Sequence, residues 1–158
     1  MKSILLALLF ISSCSSARYY QGPAVSQELR KNATSLQLVV ASVDTDYFSK
    51  QEFLNQFQQR GKDPFITENL NRKLAEMEMK REAVISRTDH IRNLNGELIR
   101  KVGSKSKIRE NDPVFEEIET FATDKDKELN VLMKDFANYK KASEEFEKLA
   151  FFTKMVKR

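Results

Sequence analysis

The chain has 158 residues, with 27 Lys+Arg against 23 Asp+Glu, one His and one Cys. A net charge of +4 is too balanced for a dedicated nucleic-acid binder, and a lone cysteine excludes a disulfide framework. Only 4 Gly and 3 Pro, with 32% of residues charged, describe one domain of long helices with few turns and wet outer faces.

The first element is an export signal. Lys2 precedes an unbroken apolar run from Ile4 to Ile11, and small residues follow at Ser12, Ser13, Ser15, Ser16 and Ala17. About eight apolar residues fall well short of the roughly 20 that a membrane span needs. The end of this signal, Ile11-Ser12-Ser13-Cys14, resembles the lipobox of bacterial lipoproteins: a branched apolar residue, two small residues and an invariant cysteine. Ile11 stands where Leu is commoner in that family, and Ser13 where Gly or Ala is commoner. The resemblance covers the first 14 residues alone. It implies a diacylglyceryl group on the Cys14 sulfur, cleavage before Cys14 and acylation of the Cys14 amine. It also implies a lipid-anchored place in the bacterial cell envelope. Ser15 is not the aspartate that retains such proteins at the inner membrane, so the implied destination is the outer membrane.

An ordinary secretory peptide is the other reading. Ser15-Ser16-Ala17 satisfies a small-x-small cleavage rule, and cutting after Ala17 would discard Cys14. Under that reading Asn32-Ala33-Thr34 is a glycosylation sequon in a eukaryotic secreted protein. The lipobox reading gives the lone cysteine a use. Removing residues 1–13 takes Lys2 with it and leaves a net charge of about +3.

Residues 14–25 then form a lipidated tether. Arg18, Tyr19 and Tyr20 suit the head-group level of a membrane, where amphipathic rings are favoured, and equally suit a disordered leader.

The spacing predicts a first helix over about 26–60. Ser26 is a suitable N-cap and Glu28 suits the positive end of the dipole. Leu29, Ala33, Leu36, Val40, Val43, Tyr47, Leu54 and Phe57 step by four and three, with Lys50 breaking the row. Val39, Phe48 and Phe53 widen that seam into a globular face. Asp44-Thr45-Asp46 is a poor helix stretch, where a kink or a cap is expected. Gly61 closes the helix.

A second helix is predicted over 64–102, with Asp63 as N-cap, Pro64 at N1 and Gly103 at its end. Leu70, Met77, Val84, Ile91 and Leu98 recur every seven residues. The companion row is Leu74, Arg81, Thr88, Asn95 and Val102. Its three polar members can fix register or partner choice, or can lie at the wet edge of the groove. The wet edge is the expectation. Asn95-Gly96 is a candidate bend.

Residues 103–111 read as a basic, flexible loop. The third helix, over about 113–157, repeats the Asp-Pro start with Asp112 and Pro113. Its seam is Phe115, Ile118, Ala122, Leu129, Leu132, Phe136, Tyr139, Phe146 and Ala150, with Lys125 and Ser143 as polar exceptions. Phe121, Leu149, Phe152 and Val156 add a flank. Exposed Glu-to-Lys/Arg pairs four apart, such as Glu76/Lys80 and Glu97/Lys101, add about 0.2–0.5 kcal/mol each.

Short links make neighbouring helices antiparallel. The expected fold is all-α: an up-down-up three-helix bundle of long, coiled-coil-like helices. Helix two would return the 103–111 loop to the tether, so that Lys105, Lys107 and Arg109 contact lipid head groups. The same topology puts Lys154, Lys157 and Arg158 at the other end.

No enzyme chemistry is expected. His90 reads as a solvated residue beside the seam. Asp124, Asp126 and Glu128 imitate the start of a calcium loop but lack its central Gly, so no metal site is assigned. No cofactor is expected beyond the covalent lipid. The C-terminus is similar to that of the murein lipoprotein, but it ends on Arg158 rather than the lysine that joins that protein to peptidoglycan. The expected function is a membrane-anchored lipoprotein with a structural or protein-interaction role, its partner an envelope protein or a second copy. The alternative is a carrier or chaperone that holds an apolar ligand or client, or a non-lipidated secreted helical protein.

Overall fold

The computed structural model describes residues 19–60 and 63–155. The signal, Cys14, the cap at Gly61 and the last three residues lie outside them, as do the Lys154 and Met155 side chains. The elements in chain order are β1 (Tyr19–Gln21), α1 (Gly22–Gln59), α2 (Pro64–Val102), β2 (Lys107–Arg109) and α3 (Pro113–Met155). The architecture is an all-α three-helix bundle, with one short antiparallel ribbon of β1 and β2 added to it.

The two Asp-Pro starts hold. Asp63 Oδ1 accepts the Phe65 N–H at 2.8 Å, and Asp112 Oδ1 accepts the Val114 N–H at 3.0 Å. Each carboxylate satisfies a donor that the first turn leaves open, and the proline after it has no N–H to orphan. The Gly103 N–H closes α2 on the Ile99 carbonyl at 2.8 Å.

Helix α1 starts at Gly22, four residues before the expected Ser26. The physical reason is Gly22 itself. A Cβ there would lie 1.8 Å from the Lys105 carbonyl oxygen and 2.8 Å from that of Val102. Only glycine allows the chain to press on the backbone that leaves α2, and this contact fixes where the helix begins.

The chain forms two compact units. Residues 39–88 and 129–155 build one of them from the later half of α1, the first part of α2 and the later part of α3. Its cross-links show the helix directions. Gln58 pairs with Asn71 and Arg81 with Asp44, so α1 and α2 are antiparallel. Lys73 pairs with Glu145 and Arg87 with Asp135, so α2 and α3 are antiparallel too. Val43, Leu54, Leu70, Met77, Val84, Leu132 and Phe146 form its buried interior.

No cap or break opens at Asp44-Thr45-Asp46, and α1 continues through it. Both carboxylates are spent on cross-helix bonds. Asp44 takes the Arg81 Nε–H at 2.6 Å. Asp46 takes the Lys50 ammonium at 2.5 Å and the Ser143 hydroxyl at 2.8 Å. The Tyr139 hydroxyl lies 2.9 Å from Asp46 and 3.0 Å from the Val43 carbonyl, its one proton shared between them. Burial by itself would raise the Asp46 carboxyl, but the bonds from Lys50, Ser143 and Tyr139 outweigh it and hold it below the usual range. Lys50 breaks the apolar row for this reason: it is 7% exposed and bridges Asp46 and Glu147. Ser143 is the matching exception on α3.

Phe48 does not join the interior as expected. It is 52% exposed, and the Arg81 guanidinium lies 5.1 Å from its ring centre and 5.2 Å from that of Tyr47. Arg81 thus sits at the groove's edge, as predicted. Thr88 does not: it is 0% exposed, and its hydroxyl has no hydrogen-bond partner.

The other unit holds residues 19–38 and 89–128, with the ribbon. Leu29, Leu98, Val102, Ile108, Val114, Phe115 and Ile118 pack together as its core. Asn95 is 1% exposed here, and both polar atoms of its amide lack partners. Helix α2 continues through Asn95-Gly96 without a break. The expectation that Thr88 and Asn95 lie at a wet edge is therefore wrong. Each helix of a three-helix bundle has two neighbours, so both rows of its heptad are covered, whereas a two-helix seam leaves one row near water.

Candidate functional site

The residues singled out for membrane contact lie on and around the ribbon. Residues 103–111, read from composition as a flexible loop, are ordered by three devices. The Lys105 N–H donates to the Val102 carbonyl at 3.0 Å. The Lys105 ammonium pairs with Asp112 at 2.6 Å. β2 then pairs with β1 in the register Tyr19 to Arg109, Tyr20 to Ile108 and Gln21 to Lys107.

The period of two sorts the side chains. Ile108 points inward and is fully buried, and Tyr20 beside it lies 4.9 Å from Phe115, ring centre to ring centre. Tyr19, Gln21, Lys107 and Arg109 face out. The Lys107 ammonium lies 3.9 Å from the centre of the Tyr19 ring, a cation–π contact worth about 0.5–1 kcal/mol at an exposed site. Asp112 does double duty, as cap of α3 and partner of Lys105. The Lys105 bond first, then the Val114 N–H, holds its carboxyl below the usual range.

The structure thus brings Lys105, Lys107 and Arg109 to β1, whose first residue, Tyr19, is five residues after Cys14 in the chain. Lys105 is partly committed to Asp112 and Lys107 to Tyr19. Arg109 is exposed. The signal for an ordered segment was present in the sequence: a lone Ile108 between Lys107 and Arg109, opposite Tyr20 between Tyr19 and Gln21, is one period of alternation on each side.

A cleft of about 350 Å³ opens beside the ribbon in the same unit, lined by residues that include Tyr19, Tyr20, Val25, Glu28, Leu29, Asn32, Leu98, Ile118 and Phe121. No cleft was legible in the sequence, because its wall is shared by β1 and all three helices. Asn32 is 4% exposed and makes no hydrogen bond to a described residue. Its burial also gives the Asn32-Ala33-Thr34 sequon no surface position in the folded bundle. The Thr34 hydroxyl turns back to the Arg30 carbonyl at 3.1 Å.

In the other unit a shallower groove is lined by Asn69, Arg72, Lys73, Glu145, Lys148, Leu149 and Phe152. Three phenylalanines are exposed at this end: Phe65 on the first turn of α2 (72%), with Phe151 (60%) and Phe152 (63%) on the last turns of α3. Phe152 was expected to join the core flank and does not. The heptad steps place it one residue off the seam.

His90 is exposed, and Asp124 pairs with Lys127 at 3.1 Å on a helix face. Among the described residues no group of three or more His, Cys, Asp or Glu converges as a metal site would. No described helix is long and apolar enough to cross a membrane. No protein-family model matches the chain, and no curated protein or solved structure does either.

Proposed function

We propose that the protein is a membrane-anchored helical lipoprotein with a structural or protein-interaction role in a bacterial cell envelope. The observation that supports this best is the ribbon. Tyr19 follows Cys14 by five residues, at most about 18 Å of extended chain. Tyr19 is hydrogen-bonded strand to strand with the basic segment. A lipid on Cys14 would hold the outward face of Lys107 and Arg109 within reach of head groups, where each basic residue adds about 1 kcal/mol of attraction to an anionic surface. The exposed Phe65, on the first turn of α2, and Phe151 and Phe152, on the last turns of α3, are the surface offered to a partner, since large apolar side chains left exposed at one end of a helix pair suit an interaction site.

Metabolic labelling with a palmitate analogue tests the anchor. The wild type takes the label and Cys14→Ser does not; an unlabelled wild type, or a labelled Cys14→Ser, overturns the anchored reading. Capture of one defined envelope protein that is lost in Phe65→Ser/Phe152→Ser tests the interaction role. The carrier reading draws on the cleft. Its volume lies at the lower end of the roughly 300–1,000 Å³ of small-molecule sites, which suits a compact ligand and not an unfolded client.

A further inference from the structure

We infer that the cleft beside the ribbon binds a small organic ammonium ion, with its apolar body against Leu29, Ile118 and Phe121 and its charge between Glu28 and Asn32. This site is independent of whether Cys14 carries lipid.

Four observations carry the inference. The cleft is a half-enclosed space of about 350 Å³ between β1 and the three helices of its unit. Most of its wall is apolar, and Glu28 is the one charged side chain in it. Glu28 makes no ion pair or hydrogen bond with a described residue. Asn32 is almost wholly buried, lines the same cleft and, like Glu28, makes no hydrogen bond with a described residue.

Glu28 and Asn32 are four residues apart on α1, so their side chains are neighbours on one helix face. A carboxylate and an amide carbonyl set side by side present acceptors for the three N–H donors of an ammonium. Of the other polar lining residues, the Tyr19 ring is already engaged by Lys107 and Gln21 is exposed to solvent on β1, so Glu28 and Asn32 are the recognising groups.

The other ligand classes fit less well. A plain hydrocarbon chain would leave both polar groups unbonded. A carboxylate or phosphate would meet the Glu28 charge in a confined, largely apolar space, where like-charge repulsion is poorly screened. A neutral alcohol would satisfy Asn32 and leave Glu28 unused. An ammonium with a compact ring or short alkyl body uses both groups and the apolar wall together, as small-molecule sites do: apolar contact for affinity and a few placed polar groups for orientation.

The test is calorimetric titration of the full chain carrying Cys14→Ser, which keeps lipid out of the measurement. The probes are 2-phenylethylamine, 2-phenylethanol and 3-phenylpropionate, which share a ring and differ in the head. The expected result is one saturable site for the amine, at least about tenfold tighter than for the alcohol, with no heat from the carboxylate. Glu28→Gln should remove most of the amine's advantage and leave the alcohol unchanged. Ala122→Phe, which fills the cleft from α3, should abolish amine binding. Circular dichroism reports whether each variant is folded, and Glu28→Gln, a near-isosteric change at a half-buried position, decides the matter if Ala122→Phe melts early. The inference is overturned by no saturable binding, by equal binding of the three probes, by an amine affinity unchanged in Glu28→Gln, or by a folded Ala122→Phe that binds like wild type.

Discussion

Thr88→Val should stabilise this protein, although it removes a polar group from the middle of a helix. Thr88 is fully buried and its hydroxyl has no partner. Desolvating an unsatisfied hydroxyl costs roughly 1–3 kcal/mol. Valine has nearly the same shape and a similar helix propensity, so neither packing nor backbone preference changes much. The methyl that replaces the hydroxyl adds up to about 0.8 kcal/mol of apolar burial. Taking the lower part of each range, the gain is about 1–2 kcal/mol. For a chain of this size that raises the melting temperature by roughly 3–6 °C. Urea and thermal unfolding of the full chain, each followed by circular dichroism, measure it. A Thr88→Val midpoint below that of wild type, at unchanged m-value, would refute the reasoning. It would mean that the hydroxyl is satisfied in solution, for instance by a buried water with two or more polar neighbours.

Three further outcomes are expected. Gly22→Ala should destabilise strongly, by more than about 2 kcal/mol, because its Cβ has no room beside the Lys105 carbonyl; amide exchange at residues 107–109 should rise, and unchanged protection there would show that the ribbon does not depend on this contact. Asp46→Asn should cost about 1–3 kcal/mol, a range discounted for the partial exposure of the carboxyl. Because the Asp46 carboxyl titrates lower folded than unfolded, its contribution is complete above the unfolded value of about 3.9 and fades as pH falls through the folded one. The wild-type and Asp46→Asn stabilities should therefore converge below that window; a difference constant down to pH 2 would assign the loss to packing. Neutralising Lys105, Lys107 and Arg109 together should loosen contact of the acylated protein with anionic vesicles at low salt, with Arg109 and Lys107 giving most of the effect because Lys105 already bonds Asp112; retention of full binding would leave the ribbon no role at the surface.

The sequence alone determined the helices and most of their ends. Heptad spacing places Leu70, Met77, Val84, Ile91 and Leu98 in the interior, and two Asp-Pro pairs write the starts of α2 and α3, because capping and periodicity are local physics. The fate of the polar residues in those rows was decided by tertiary structure. Lys50 and Ser143 are explained by Asp46, which sits on another turn or another helix. Thr88 and Asn95 are buried because two neighbours, not one, flank α2. The beginning of α1 at Gly22 and the order of residues 107–109 follow from contacts between segments more than 80 residues apart along the chain. The cleft belongs to the same class: Glu28 and Asn32 are ordinary surface candidates by local spacing, and only the packing of β1 and three helices around them turns them into the wall of a site. Local chemistry writes which segments are helical; which of their polar groups end up without water depends on the neighbours that the fold supplies.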